Sequence, residues 1–180
     1  SLRNAQLGAI YSLMAHWSLS NEVATIVLPT GTGKTETMLV ATLADKATRT
    51  LVIVPSIELK NQIADKYATW GILRKLGVVT KETLNPSVLI LNKTLESDEN
   101  IEDIKSADII ISTPAFFART TSEIQLKIKD IFSHVFFDEA HHINSMTKKK
   151  LTKTEQEESQ SWEWTINRVL KANKENIMLE

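Results

Sequence analysis

The segment Leu28-Pro29-Thr30-Gly31-Thr32-Gly33-Lys34-Thr35 sets two glycines, a lysine and several hydroxyls side by side. A polyphosphate needs many N–H donors close together, and glycine lets the backbone approach that closely. Two of the five glycines in the chain fall here. Lys34 supplies a point charge for terminal phosphates, and the Thr35 hydroxyl is suited to Mg²⁺. A strict phosphate loop has glycine at position 28, where this chain has Leu28.

The second constellation is His134-Val135-Phe136-Phe137-Asp138-Glu139-Ala140-His141-His142. An apolar run delivers two adjacent carboxylates to one place. Nucleotide hydrolysis uses one carboxylate to hold Mg²⁺ and another to polarise the attacking water. Asp138 and Glu139 offer both. His141 and His142 suggest a metal, but neighbouring residues rarely aim both rings at one ion, and there is no cysteine or HExxH partner. His134, at the strand start, and His16, in the opening helix, read as structural or surface histidines.

These residues need a scaffold. Five apolar runs with little alternation, Val23–Leu28, Leu51–Val54, Val88–Leu91, Ile109–Ile111 and Val135–Phe137, suit strands buried on both faces of a parallel sheet. Helical spacings lie between and around them. An opening helix carries Leu2, Ala5, Ala9, Ile10, Leu13 and Trp17. Leu39, Val40, Leu43 and Ala44 form one face; Leu59, Ile63, Tyr67 and Trp70 another; Trp162, Ile166, Val169 and Leu170 a third. Alternating strands and helices predict an α/β three-layer sandwich with a mainly parallel sheet. Pro29, Pro55 and Pro114 follow β-rich runs, which places their loops at the carboxyl edge, where open α/β sheets bind ligands. Residues 145–161, with Lys148-Lys149-Lys150 and then Glu155, Glu157 and Glu158, read as a solvated, mobile polar loop. Asn176–Leu179 reads as the start of a further strand, with Leu179-Glu180 as a cloning scar the alternative.

A chain of 180 residues, 42% apolar and 24% charged, is one ordinary globular domain. Without cysteine it has no disulfide, thiolate nucleophile or cysteine zinc site, and it fits a reducing, cytoplasmic setting. The net charge of −1 supplies no global basic field, so any nucleic-acid binding must be local. No apolar run approaches the ~20 residues of a membrane helix. The opening Ser1-Leu2-Arg3-Asn4 lacks an initiator methionine and does not begin a signal peptide, so an excised fragment is expected.

In this order and context, the phosphate loop and Asp138-Glu139-Ala140-His141-His142 resemble superfamily 2 helicases and translocases of the DEAH-box type. They look most like the branch that contains the Res subunits of type III restriction enzymes. Leu2-Arg3-Asn4-Ala5-Gln6 resembles the Leu-Arg-x-x-Gln element whose glutamine reads adenine, a sensible role because an amide pairs bidentately with adenine N6 and N7. Val54-Pro55-Ser56-Ile57-Glu58-Leu59-Lys60-Asn61-Gln62 is similar to motif Ia, and Ile111-Ser112-Thr113-Pro114 to motif Ib, which line a groove for the strand backbone.

The resemblance implies the first of two RecA-like domains, ending before the Ser-Ala-Thr motif and lacking the second domain with its arginine fingers. It implies ATP and Mg²⁺ as cofactors and DNA, or RNA, as partner. Arg3, Gln6 and residues Thr30, Gly31, Thr32, Gly33, Lys34 and Thr35 then hold the nucleotide, with Thr35 and Asp138 on the metal. Glu139 polarises water, His141 couples the site to the second domain, and Pro55, Ser56, Thr113 and Pro114 touch nucleic acid. The resemblance implies the ATP-binding motor domain of a DNA helicase or translocase that couples ATP hydrolysis to movement on nucleic acid; the alternative is a type III restriction motor subunit or an RNA helicase domain.

Three other classes are weighed. A GTP switch needs an acid where Asn92-Lys93-Thr94-Leu95 has Leu95. A small-molecule kinase needs an arginine-rich lid, but arginine stands scattered at 3, 49, 74, 119 and 168. A degenerate scaffold is disfavoured because Lys34 and Glu139 are both retained. The sequon Asn92-Lys93-Thr94 reads as accidental.

Overall fold

The computed structural model describes residues 2–20, 22–92, 95, 97–114, 116, 122–128, 130–139 and 175–179. The helices are α1 (Asn4–Leu19), α2 (Lys34–Ala44), α3 (Ile57–Ala68), α4 (Gly71–Lys75), α5 (Asp98–Ser106) and α6 (Ser122–Ile128). The strands are β1 (Ala24–Ile26), β2 (Thr50–Ile53), β3 (Val88–Ile90), β4 (Ile109–Ser112), β5 (His134–Phe137) and β6 (Glu175–Leu179).

The strands form one sheet in the order β1-β6-β5-β2-β4-β3. Each neighbouring pair is parallel. The α/β three-layer expectation is met. The central strands β2, β4 and β5 are buried at every position, which is why their sequences run apolar without alternation. Side chains on a single strand split between the two faces. Val52, Val54, Ile111 and Phe136 pack under α1 to α4 with Leu13, Met38, Ile63 and Tyr67. Leu51, Ile53, Val135 and Phe137 pack on the other face with Ile104 of α5 and Ile124 and Ile128 of α6. Truncating a fully buried ring such as Phe136 to alanine costs ~3–5 kcal/mol in cores of this kind.

Three expectations are corrected at the element level. The strand expected over Val23–Leu28 is only Ala24–Ile26. It pairs with β6 at the end of the strand order, and Val27 is 71% exposed, so β-propensity there outruns the available partners. The outermost β3 likewise stops at Ile90. The face of α2 is rotated in part from the one expected: Leu39 is buried and Val40 and Leu43 pack against the core, but Ala44 is exposed, and Thr37, Met38, Ala41 and Thr42 are buried. Both threonines are tolerated inside because each hydroxyl donates to the carbonyl one turn back, Thr37 to Gly33 at 3.1 Å and Thr42 to Met38 at 2.9 Å.

Other expectations hold. Ile63, Tyr67 and Trp70 are buried as the spacing requires. The terminal apolar segment is a true strand: β6 lies between β1 and β5, with Leu179 opposite Ile26 and Met178 opposite Phe137. His134 is buried, its Nε2 2.8 Å from Asp45 Oδ2 at the amino edge, so it is structural as read. His141, the loop 145–161 and the face Trp162–Leu170 lie outside the described residues. Among the described residues, no helix is long and apolar enough to cross a membrane.

Candidate nucleotide-binding and catalytic site

Parallel strands point their carboxyl ends the same way, so the loops after β1, β5, β2 and β4 share one edge. The register aligns them: Ile53 of β2 lies opposite both Phe137 of β5 and Ser112 of β4. Asp138-Glu139, Pro55-Ser56 and Thr113 therefore emerge in a row, with the phosphate loop beyond β6.

The loop's shape follows from its glycines. Gly31 and Gly33 have φ of +78° and +92°, a region that side chains with a Cβ rarely adopt. Thr32 closes a tight turn, its N–H and hydroxyl both donating to Pro29 O at 3.1 and 2.5 Å. Gly33 is the residue before α2, and its carbonyl accepts the Thr37 N–H at 3.0 Å. The loop thus opens onto a helix N-terminus, which favours an anion. Leu28, the departure from the strict motif, is buried and anchors the start of the loop in the core.

The opening helix grips this loop. Arg3 Nη1 donates to Gly31 O at 2.7 Å, and Gln6 Nε2 donates to Gly33 O at 3.2 Å. Gln6 Oε1 accepts the Arg3 N–H at 2.8 Å, fixing the amide's orientation. Gln6 is only 5% exposed, so it is not the surface glutamine its residue type suggests. A Cβ on Gly33 would stand 2.3 Å from Gln6 Nε2.

Lys34, Thr35, Asp138 and Glu139 line one cleft of about 350 Å³ together with the loop. Lys34 Nζ lies 3.1 Å from Glu139 Oε1. Asp138 is buried, and burial foremost, with the neighbouring Glu139 charge second, pushes its carboxyl above the ordinary aspartate range. Lys34, the Glu139 N–H and Lys66 act in the opposite sense. Glu139 has φ +58°, a left-handed conformation uncommon for a residue with a long side chain. Its N–H donates to Asp138 Oδ1 at 3.1 Å, which steadies the turn.

The donor set is hard oxygen, a buried carboxylate and a hydroxyl, which fits Mg²⁺ rather than a softer metal. No group of three or more His, Cys, Asp or Glu able to hold a metal alone exists among the described residues.

Two residues of the cleft were not singled out from the sequence, Glu36 and Lys66. Glu36 directly follows Thr35 and could have been noticed from that position. Lys66, 30 residues later, carries no local signal. Of the expected nucleic-acid contacts, Pro55, Ser56 and Thr113 are half-buried on the shared edge. The Ser56 hydroxyl accepts the Leu59 N–H at 3.4 Å, capping α3. Pro114 is buried and offers no open surface, since it turns inward as the chain leaves β4.

The whole chain, residues 1–180, matches the family described as type III restriction enzyme, res subunit. The chain belongs to that family. A curated relative, reverse gyrase 1 of Sulfurisphaera tokodaii, is 28% identical over 131 residues, spanning 70% of this chain and 11% of that protein. The UvsW helicase of bacteriophage T4 has a similar structure, with a TM-score of 0.55 and 14% identity over 99% of this chain and 52% of its own. A hypothetical ATP-dependent RNA helicase from Sulfolobus tokodaii gives a TM-score of 0.62 and 19% identity, covering 100% and 46% of the two chains. The family chain therefore spans about half of these helicases and a small part of the gyrase. The expected kinship with superfamily 2 helicases on the Res branch is borne out, as is the RecA-like fold. Membership of this family implies nucleotide use.

Proposed function

We propose that this domain is the ATP-binding half of a nucleic-acid motor, coupling ATP hydrolysis to movement along DNA. The carrying observation is the convergence of the loop at Gly31–Lys34 with Asp138 and Glu139, from opposite halves of the chain, in one cleft at the carboxyl edge.

In this reading, backbone N–H groups of the loop and Lys34 hold the phosphates. Thr35 and Asp138 hold Mg²⁺, which neutralises charge on the phosphates when bound. Glu139 orients the attacking water. Gln6 reads adenine: one amide N–H and one lone pair are committed to Gly33 and Arg3, and the second of each serves N7 and N6. Ser56 and Thr113 contact strand phosphates beside the nucleotide cleft, which gives motion at one a path to the other.

The second domain supplies the arginine finger. Support comes from the commitments of the described arginines: Arg3 holds Gly31 O, Arg49 caps Ala107 O at 3.1 Å, and Arg74 holds the Thr80 and Thr83 carbonyls at 2.6 and 2.9 Å. This chain alone then binds nucleotide and turns it over slowly, since a finger contributes ~10³-fold or more. The test is steady-state phosphate release with and without single-stranded DNA, using Glu139→Gln as the blank. Slow turnover with little DNA stimulation is expected. Robust DNA-stimulated turnover that the blank lacks would show a complete active site in this chain alone and contradict the half-motor reading.

A further inference from the structure

The cleft holds a second lysine that the roles above do not use. Lys66 Nζ, on α3, lies 3.1 Å from Glu36 Oε1, in the first turn of α2. Glu36 is mostly covered, while Lys66 keeps 44% of its side chain open. The other Glu36 oxygen lies 2.9 Å from where a Cβ on Gly33 would stand. The carboxylate therefore pairs with Lys66 while lying beside Gly33 of the loop, an internal anion set against a loop built for anions. The backbone of α3 is fixed here, because the adjacent Tyr67 is fully buried and its hydroxyl lies 3.3 Å from Thr42 Oγ1 of α2. Lys66 also lines the same cleft as Lys34 and Asp138, and its charge acts on the Asp138 carboxyl.

We propose that Lys66 is a second phosphate-binding cation of the nucleotide site, restrained by Glu36 and transferred to the polyphosphate when nucleotide enters. This rests on the phosphate-loop reading of Gly31–Lys34. A half-exposed ion pair is worth little by itself, so exchanging Glu36 for a phosphate oxygen costs little. A charge-assisted contact with phosphate is stronger than the half-exposed pair it replaces.

The experiment is calorimetry of Mg·ATP, Mg·ADP and AMP binding to the parent chain, Lys66→Met, Lys66→Arg, Glu36→Gln and Lys34→Ala, with thermal unfolding of each. The expected result is ~10-fold weaker Mg·ATP binding for Lys66→Met, about the value of one charged hydrogen bond. The loss shrinks from ATP to ADP to AMP, and Lys66→Arg recovers most of it. Glu36→Gln binds Mg·ATP as tightly as the parent or tighter, because it frees the lysine. Removing one half of the ion pair thus weakens binding and removing the other does not. A purely structural pair would lower thermal stability in both variants and leave the affinities alike, and that result overturns the proposal. Weaker binding in Glu36→Gln overturns it too. If Lys34→Ala abolishes binding and Lys66→Met matches the parent, only the Lys66 role falls. If Lys34→Ala also binds like the parent, the phosphate-loop reading falls with it.

Discussion

Lys34 and Glu139 stand 105 residues apart in the chain and 3.1 Å apart in the fold. The pair joins the helix that follows β1 to the turn that follows β5. In the proposed reading, it brings the cation for the phosphates and the carboxylate for the attacking water within one hydrogen bond. Nucleotide entering the loop, in the same reading, competes with Glu139 for Lys34.

Glu139 occupies its turn with φ +58°, and left-handed backbone costs ~1–2 kcal/mol for a residue with a Cβ. Glu139→Gly is therefore expected to raise stability by up to ~1 kcal/mol, the loss of its pairing with Lys34 offsetting part of the relief. Glu139→Gln keeps the strain and gains nothing comparable. Phosphate release falls in both variants, while Mg·ATP affinity holds or rises, because Lys34 no longer has a competing carboxylate. Denaturant unfolding beside the release assay checks this. Equal stabilities of the two variants would show that the turn is not strained.

Gln6→Ala removes a buried amide that joins Arg3 N–H to Gly33 O. The expected cost is ~1–3 kcal/mol of stability, from two lost hydrogen bonds and the polar groups left behind. The variant also narrows the preference for ATP over GTP. Competition binding with the two nucleotides measures the second effect. A parent that binds both equally would remove the adenine role and leave Gln6 as a brace of the loop.

Asp138 ties function to stability through pH. Burial raises its folded pKa above the unfolded value, so ionising it opposes folding. The penalty is absent at pH below the unfolded aspartate range and complete above the raised folded value. Asp138→Asn keeps an acceptor for the Glu139 N–H and removes the charge. It is expected to unfold at higher temperature than the parent near neutral pH in chelator, with the gap closing on acidification, and to lose phosphate release. A gap that is constant across pH would show that the charge is not the cause.

Much of this was legible in the sequence because local chemistry demanded it. Gly31 and Gly33 can take the φ values the loop needs, and β2, β4 and β5 read as continuous apolar runs because both their faces are covered. Asp138 and Glu139 stood out for following such a run. The missing parts depend on distance in the fold. Nothing near Lys66 in sequence points to Glu36, and the two meet only because α2 and α3 pack on the same face of the sheet. The rotation of α2, with Thr37 and Thr42 inside, was hidden because their hydroxyls are satisfied by the helix itself. Gln6 was read as an adenine contact, and its grip on Gly33 appeared only with the loop folded beside α1.

The most direct measurement of the central claim is calorimetric titration of Mg·ATP into the parent chain and Lys34→Ala. Lys34 is mostly covered, with 14% of its side chain exposed, and its charge points into the cleft. The account predicts saturable Mg·ATP binding by the parent and none detectable in Lys34→Ala, with unchanged far-UV circular dichroism. Equal affinity in the two proteins would contradict the phosphate-loop assignment, and with it the motor reading built on that loop.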